Sequence, residues 1–215
     1  MESERVPITI TVNTLLTGTI SADQYICSGT VPTGFTTGSD VAAGTITYQW
    51  QKSVDNLSFV DIPSAILANY TETSPLTVKT YYRRKIFSTL NGVSCSAFSN
   101  IITITINPLP TFNPTTANVC KGTLSTKLEY TGSNLVPITT YNITWNSLAL
   151  SAGFLNISNA PLTGSPIIIT VPSGVNLTTY TGSMIIKNGN TCSSAPIPIN
   201  INVHNIPPSP IVSVQ

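Results

Sequence analysis

The residues with the most reactive side chains are four cysteines, Cys27, Cys95, Cys120 and Cys192. None shares C-x-x-C spacing with another, so a zinc site is not indicated. They fall as two matched pairs, and the internal repeat described below favours disulfides Cys27–Cys95 and Cys120–Cys192 among three connectivities. Loops of that length would stabilise each half by roughly 4 kcal/mol in the chain-entropy model. Such bridges imply an oxidising, extracytoplasmic setting.

The remaining chemistry is sparse. His204 is the sole histidine, and alternation puts it on the face opposite Ile201 and Val203, with no base, metal or orienting partner nearby in sequence. The eight acids, Glu2, Glu4, Asp23, Asp40, Asp55, Asp61, Glu72 and Glu129, are scattered and form no calcium-loop run. Asp55-Asn56 reads as turn chemistry. No nucleophile elbow or phosphate-binding loop is present. We therefore expect no catalytic residues, no bound metal and no cofactor. Arg83, Arg84 and Lys85 form the single basic cluster. On a strand, Arg83 and Lys85 share one face, a candidate patch for a surface or polysaccharide ligand, and Arg84 takes the other. Trp50 and Trp145 could stack on sugars, but each shares its face with apolar neighbours, which favours the core. Tyr82 and Tyr180 are assigned to the core with them.

These residues sit in a chain of 215 residues with 8% charged residues and a formal charge of +1. That charge gives no footprint for nucleic acid or an anionic membrane. No apolar run is long enough for a transmembrane helix, so membrane insertion is not expected. No apolar leader follows Met1, which reads as the start of an excised fragment. Threonine and β-branched richness, punctuated by 16 prolines and 13 glycines, predicts an all-β fold.

Two units emerge in tandem. Residues 1–13 are either the tail strand of a preceding repeat or the first strand of domain 1, since Val6 to Asn13 matches Ile101 to Asn107. Domain 1 covers 14–107, with strands expected at Thr45 to Gln51, Leu57 to Ile62, Tyr70 to Val78, Thr80 to Ser88 and Ala97 to Ile106. Asn91-Gly92 predicts a type I′ hairpin. A proline-rich, stiff linker follows at 108–114. Domain 2 covers 115–205, and 206–215 looks like a linker to a further repeat. Val119-Cys120 echoes Ile26-Cys27, Trp145 echoes Trp50, and Asn188-Gly189 with Cys192 echoes Asn91-Gly92 with Cys95. Short strands with one Trp per unit fit two tandem immunoglobulin-like β-sandwich domains.

Tyr48-Gln-Trp-Gln51, Tyr81-Tyr-Arg-Arg84, Asn91-Gly92, Cys95, Ser99-Asn100 and Ile102-Thr-Ile-Thr-Ile-Asn-Pro-Leu-Pro110 together resemble the PKD-like or Ig-like repeats of giant Bacteroidota surface proteins. Gliding-motility adhesins of the SprB type carry such repeats. The resemblance covers 14–107 well and 109–205 loosely, because the second unit lacks the Gln-Trp-Gln and Tyr-Tyr-Arg-Arg stretches. It implies type IX secretion, a place on the cell surface, adhesion or gliding, and neighbouring repeats of the same chain as partners. The residues themselves support a structural and adhesive segment. The competing expectation is a carbohydrate-binding accessory module of a secreted protein, which solvent-exposed aromatics would favour.

Overall fold

The computed structural model describes residues 8–132 and 137–206. The chain divides into two units, Met1–Asn107 and Pro108–Gln215. Each is an immunoglobulin-like β-sandwich. Of the strand expected in 1–13 and the linker expected at 206–215, residues 1–7 and 207–215 lie outside the described residues; residues 8–13 join no strand, and Ile8, Ile10 and Val12 are exposed.

The first unit contains β1 (Leu15–Leu16), β2 (Gln24–Cys27), β3 (Val41–Ala42), β4 (Thr45–Ser53), β5 (Val60–Asp61), β6 (Thr80–Leu90), β7 (Val93–Phe98) and β8 (Ile102–Asn107). Its main sheet runs β2-β8-β6-β4-β5, with β7 also on β6. β6 is central because it alternates strictly. Thr80, Tyr82, Arg84, Ile86 and Ser88 are buried, and the residues between them are half-buried on the other face. The opposing layer is slight: β1 pairs β3, and single bridges join Phe35 to Tyr70 and Thr30 to Leu76.

Asn91 and Gly92 both adopt positive φ, 50° and 81°, and close the β6–β7 hairpin with Leu90 opposite Val93. The strand expected from Ala97 to Ile106 is broken instead. Lys85 pairs with Phe98, but Tyr82 pairs with Ile102, so one extra residue enters around Ser99 as a bulge. Ser99 fills the gap, accepting from the Arg84 amide on its hydroxyl.

Two other expected strands shrink because carboxylates capture their own backbone. Asp55 accepts from the Leu57 and Ser58 amides, which leaves only Val60–Asp61 paired. Glu72 accepts from the Thr73 and Ser74 amides, and Pro75 follows, so 70–78 holds two single bridges and no strand.

The second unit contains β9 (Asn113–Pro114), β10 (Ala117–Cys120), β11 (Ser125–Leu128), β12 (Tyr130–Thr131), β13 (Ile138–Trp145), α1 (Ser147–Ser151), β14 (Ile157–Pro161), β15 (Ile167–Thr170), β16 (Thr179–Asn188) and β17 (Ile197–His204). Its main sheet runs β10-β17-β16-β13-β14, and β11-β15 and β12-β9 form two small ladders. In both units the short second strand, β2 or β10, pairs in parallel with the last one. Phe112 is buried in the second core and β9 pairs with β12, so this part of the proline-rich segment serves the second fold. α1 is capped by Asn146, which accepts from the Ala149 amide at 2.8 Å. No described helix is long and apolar enough to cross a membrane.

The expected cysteine pairing does not form. Cys95 and Cys120 are free thiols, whereas Cys27 and Cys192 are disulfide-bonded. The sheets explain the failure. Cys27 lies opposite Asn107, past the Thr80 end of β6, but Cys95 lies opposite Ser88 at the other end. That is roughly 35 Å of strand at about 3.3 Å per residue, against a Cα separation below about 7 Å for a disulfide. In the second unit Cys120 sits opposite His204, past the Thr179 end of β16, and Cys192 lies beyond Lys187 at the other. The cysteines recur at matching places in the two units, but the two within each unit sit at opposite ends of its sheet.

Candidate functional site: the outer face of the first sheet

The interior of the first unit fixes β6 in place. Trp50 is fully buried and donates its indole N–H to the Leu67 carbonyl at 2.9 Å. Trp50, Phe35, Tyr70 and Tyr82 form an aromatic cluster with ring centroids 4.8 to 6.1 Å apart. Arg84 stands on the same face, 0% exposed. Its Nη2 donates to both Asp40 oxygens at 2.8 Å, its Nη1 donates to the Ala68 carbonyl at 2.9 Å, and its guanidinium lies 4.5 Å from the Tyr48 ring centroid. Asp40 also accepts from the Gly18 amide at 2.7 Å. A charge this deep is tolerated only when paired and hydrogen-bonded.

Glu72 anchors a second polar knot. Its carboxylate accepts from the Tyr82 hydroxyl at 2.9 Å, and Lys52 lies 3.6 Å away. Burial pushes the Glu72 pKa up, but the Ser74 amide, the Tyr82 hydroxyl, Lys52 and the Thr73 amide outweigh it and hold the group below its ordinary value. Burial, and then the Glu72 charge, raise Tyr70 to about 12; burial, and then the hydrogen bond to Glu72, raise Tyr82.

Strand alternation sends Arg83 and Lys85 to the opposite, outer face. Arg83 is clamped: its guanidinium lies 4.0 Å from the ring centroids of both Phe59 and Phe98. Its Nε donates to Gln51 Oε1 at 2.7 Å, and Gln51 in turn donates to Asp61 at 2.7 Å. Burial between the rings lowers the Arg83 pKa, though an arginine stays charged at neutral pH. Lys85 Nζ lies 4.9 Å from the Phe87 centroid and 5.8 Å from that of Phe98. Phe98 is 44% exposed. Among the described residues neither cation joins an ion pair, since the two pairs present are Lys52–Glu72 and Arg84–Asp40.

Elsewhere the candidate residues serve structure. Trp145 is buried and donates its indole N–H to the Leu155 carbonyl. Tyr180 is buried and accepts from the Asn176 amide. His204 is exposed, with Nε2 3.1 Å from Asn118 Oδ1. Asp55 closes its own turn and Asp61 meets Gln51. Among the described residues no three His, Cys, Asp or Glu side chains are placed to hold a metal.

Sequence reasoning missed Asp40, Glu72, Phe59 and Phe98. For Phe98 a signal existed. A two-residue turn at Asn91-Gly92 places Phe98 opposite Lys85 by counting alone. For Asp40, 44 residues from Arg84, no local signal exists.

Residues 16–108 match the model of a family described as a domain of unknown function (DUF8696). No curated protein matches the chain. Fibronectin(III)-like modules of Clostridium thermocellum CbhA are similar at 12% identity and a TM-score of 0.38, over 91% of this chain and 100% of that one. Titin domains A168–A170 are similar at 15% identity and a TM-score of 0.44, over 90% and 68%. Drosophila N-cadherin EC1-4 is similar at 13% identity and a TM-score of 0.36, over 91% and 51%.

Proposed function

We propose that this chain is a structural and adhesive segment of a long extracellular surface protein, spacing and presenting contact sites without catalysis. One observation carries the reading. The buried charges of the first unit are committed to holding the sandwich together, while the cations Arg83 and Lys85 stand on its rigid outer face. That is the layout of a surface that binds through shape and charge and transforms nothing. The disulfide-bonded Cys27 and Cys192 support an oxidising, extracellular setting. The family resemblance supports a bacterial cell surface of the Bacteroidota type, type IX secretion and a part in gliding, with neighbouring repeats of the same chain as partners. Weak sites repeated along such a protein gain strength by avidity.

The exposed Phe98 ring favours a second reading, a carbohydrate-binding accessory module of a secreted protein. Localisation separates the two. Antibody to this chain, applied to intact cells expressing the parent protein, should label the cell surface; signal confined to the culture fluid favours the accessory module. Beads coated with the chain should also resist shear on agarose and glass better than albumin-coated beads. Equal detachment would refute adhesion.

A further inference from the structure

We propose that the outer face of β6 binds an anionic polysaccharide, with Arg83 and Lys85 as a pair of anion receptors and Phe98 as the apolar surface beside them. This deepens the adhesive reading and rests on it.

The two cations sit two residues apart on one strand face, roughly 6.6 Å along the strand. Neither is neutralised among the described residues, and Asp61 reaches Arg83 only through Gln51. The Arg83 guanidinium is gripped between the Phe59 and Phe98 rings, so its faces are covered. Nε is spent on Gln51, and among the described residues no protein group bonds Nη1 or Nη2. What remains is the Nη1/Nη2 pair of a guanidinium held by its neighbours, the donor set that takes a carboxylate or sulfate through two parallel hydrogen bonds. Its rotamer entropy is already lost before any ligand arrives. Phe98, 44% exposed beside this fork, offers apolar area to the C–H face of a sugar ring.

Charge complementarity selects an anionic ligand over a neutral glycan, since a neutral one would leave both cations unpaired. Arg83, Lys85 and Phe87 follow one another along one strand face, with Phe98 alongside opposite Lys85, a row that suits an extended polymer. Nucleic acid fits poorly, because a chain of formal charge +1 lacks the basic surface that duplex or single strands require.

The test is isothermal titration calorimetry of the full chain with sodium alginate, dextran sulfate and neutral dextran. Alginate should bind, more weakly as salt rises, and dextran should not. Dextran sulfate binding alongside or in place of alginate supports the same site with sulfate as its anion. Arg83→Gln and Lys85→Gln should each weaken binding about tenfold, equivalent to about 1.4 kcal/mol. Arg83→Lys, which keeps charge but loses the fork, should fall between wild type and Arg83→Gln. Thermal melts identify any variant that fails to fold, and Lys85→Gln, which breaks no hydrogen bond, then decides. Dextran binding as tight as alginate, or variants with unchanged affinity, would overturn the site. Failure of both polyanions to bind while coated beads still adhere overturns this inference alone; failure of both assays removes the adhesive reading as well.

Discussion

The position opposite the core tryptophan separates the two units. In the first, Trp50 pairs across the sheet with Arg84. In the second, Trp145 pairs with Gly182. Arg84 brings a buried charge that demands Asp40, the Ala68 carbonyl and the Tyr48 ring. Gly182 brings nothing, and the Trp145 ring settles on its backbone: a Cβ there would meet Trp145 Cε3 at 2.8 Å. The same topology is thus filled in two ways. Among the described residues, eight buried ones form the apolar cluster of the first unit, with Arg84, Asp40 and Glu72 completing its interior; nineteen form that of the second. The charge difference is legible in composition too, since Glu129 is the sole acid in the second unit. A polar interior fixes geometry at some cost in stability, and it is the unit so fixed that carries the cationic outer face.

Removing half of the buried pair should have the largest effect. Asp40→Ala strands Arg84 and should cost about 3–5 kcal/mol, all of it in the first unit's transition when calorimetry resolves the two. The double change Asp40→Leu with Arg84→Met should recover most of that loss. An unchanged first transition in the single variant would show that the pair is not buried as described. The matching change in the second unit is Gly182→Ala. Overpacking against Trp145 should cost about 1–3 kcal/mol, with the first transition unmoved.

Acid should separate the units more gently. The Glu72 pKa is lowered by folding, so its contribution is present above the unfolded carboxylate value of about 4.3 and is lost as pH falls through its folded value. The first transition should therefore drop faster than the second as pH falls below that value, and Glu72→Gln should flatten the slope. An equally steep fall in the second unit would contradict this account. The mildest probe leaves the fold intact. Iodoacetamide on the native chain should add to one thiol in each unit, Cys95 and Cys120, faster at the more exposed Cys120. Cys27 and Cys192 should react only after reduction. Four free thiols, or none, would contradict the assignment.

Much of the frame could be read from residues alone. The alternation Tyr81 to Ser88 separates Arg83 and Lys85 from Arg84, and Asn91-Gly92 fixes the hairpin and with it the Lys85–Phe98 pairing. What stayed hidden depends on long-range partners. Asp40 reads as one scattered acid until the fold carries it to Arg84. The cysteine spacing repeats faithfully, yet spacing carries no information about which end of a sheet a residue occupies. Tyr70 to Val78 has strand composition, but Glu72 captures the backbone that a strand would have paired. Asn188-Gly189 looks like Asn91-Gly92 and folds differently, because the Asn188 side chain accepts from the Asn190 and Cys192 amides and curls the loop on itself.

The charge-locked first unit should present an anion-binding face, and the second unit should not. Amide-resolved NMR of the full chain, titrated with sodium alginate, tests it most directly. Shifts confined to the outer strands around Phe59, Arg83, Lys85 and Phe98, with the second unit silent, are the expected result. No shifts, or shifts centred on the second sheet, would contradict it.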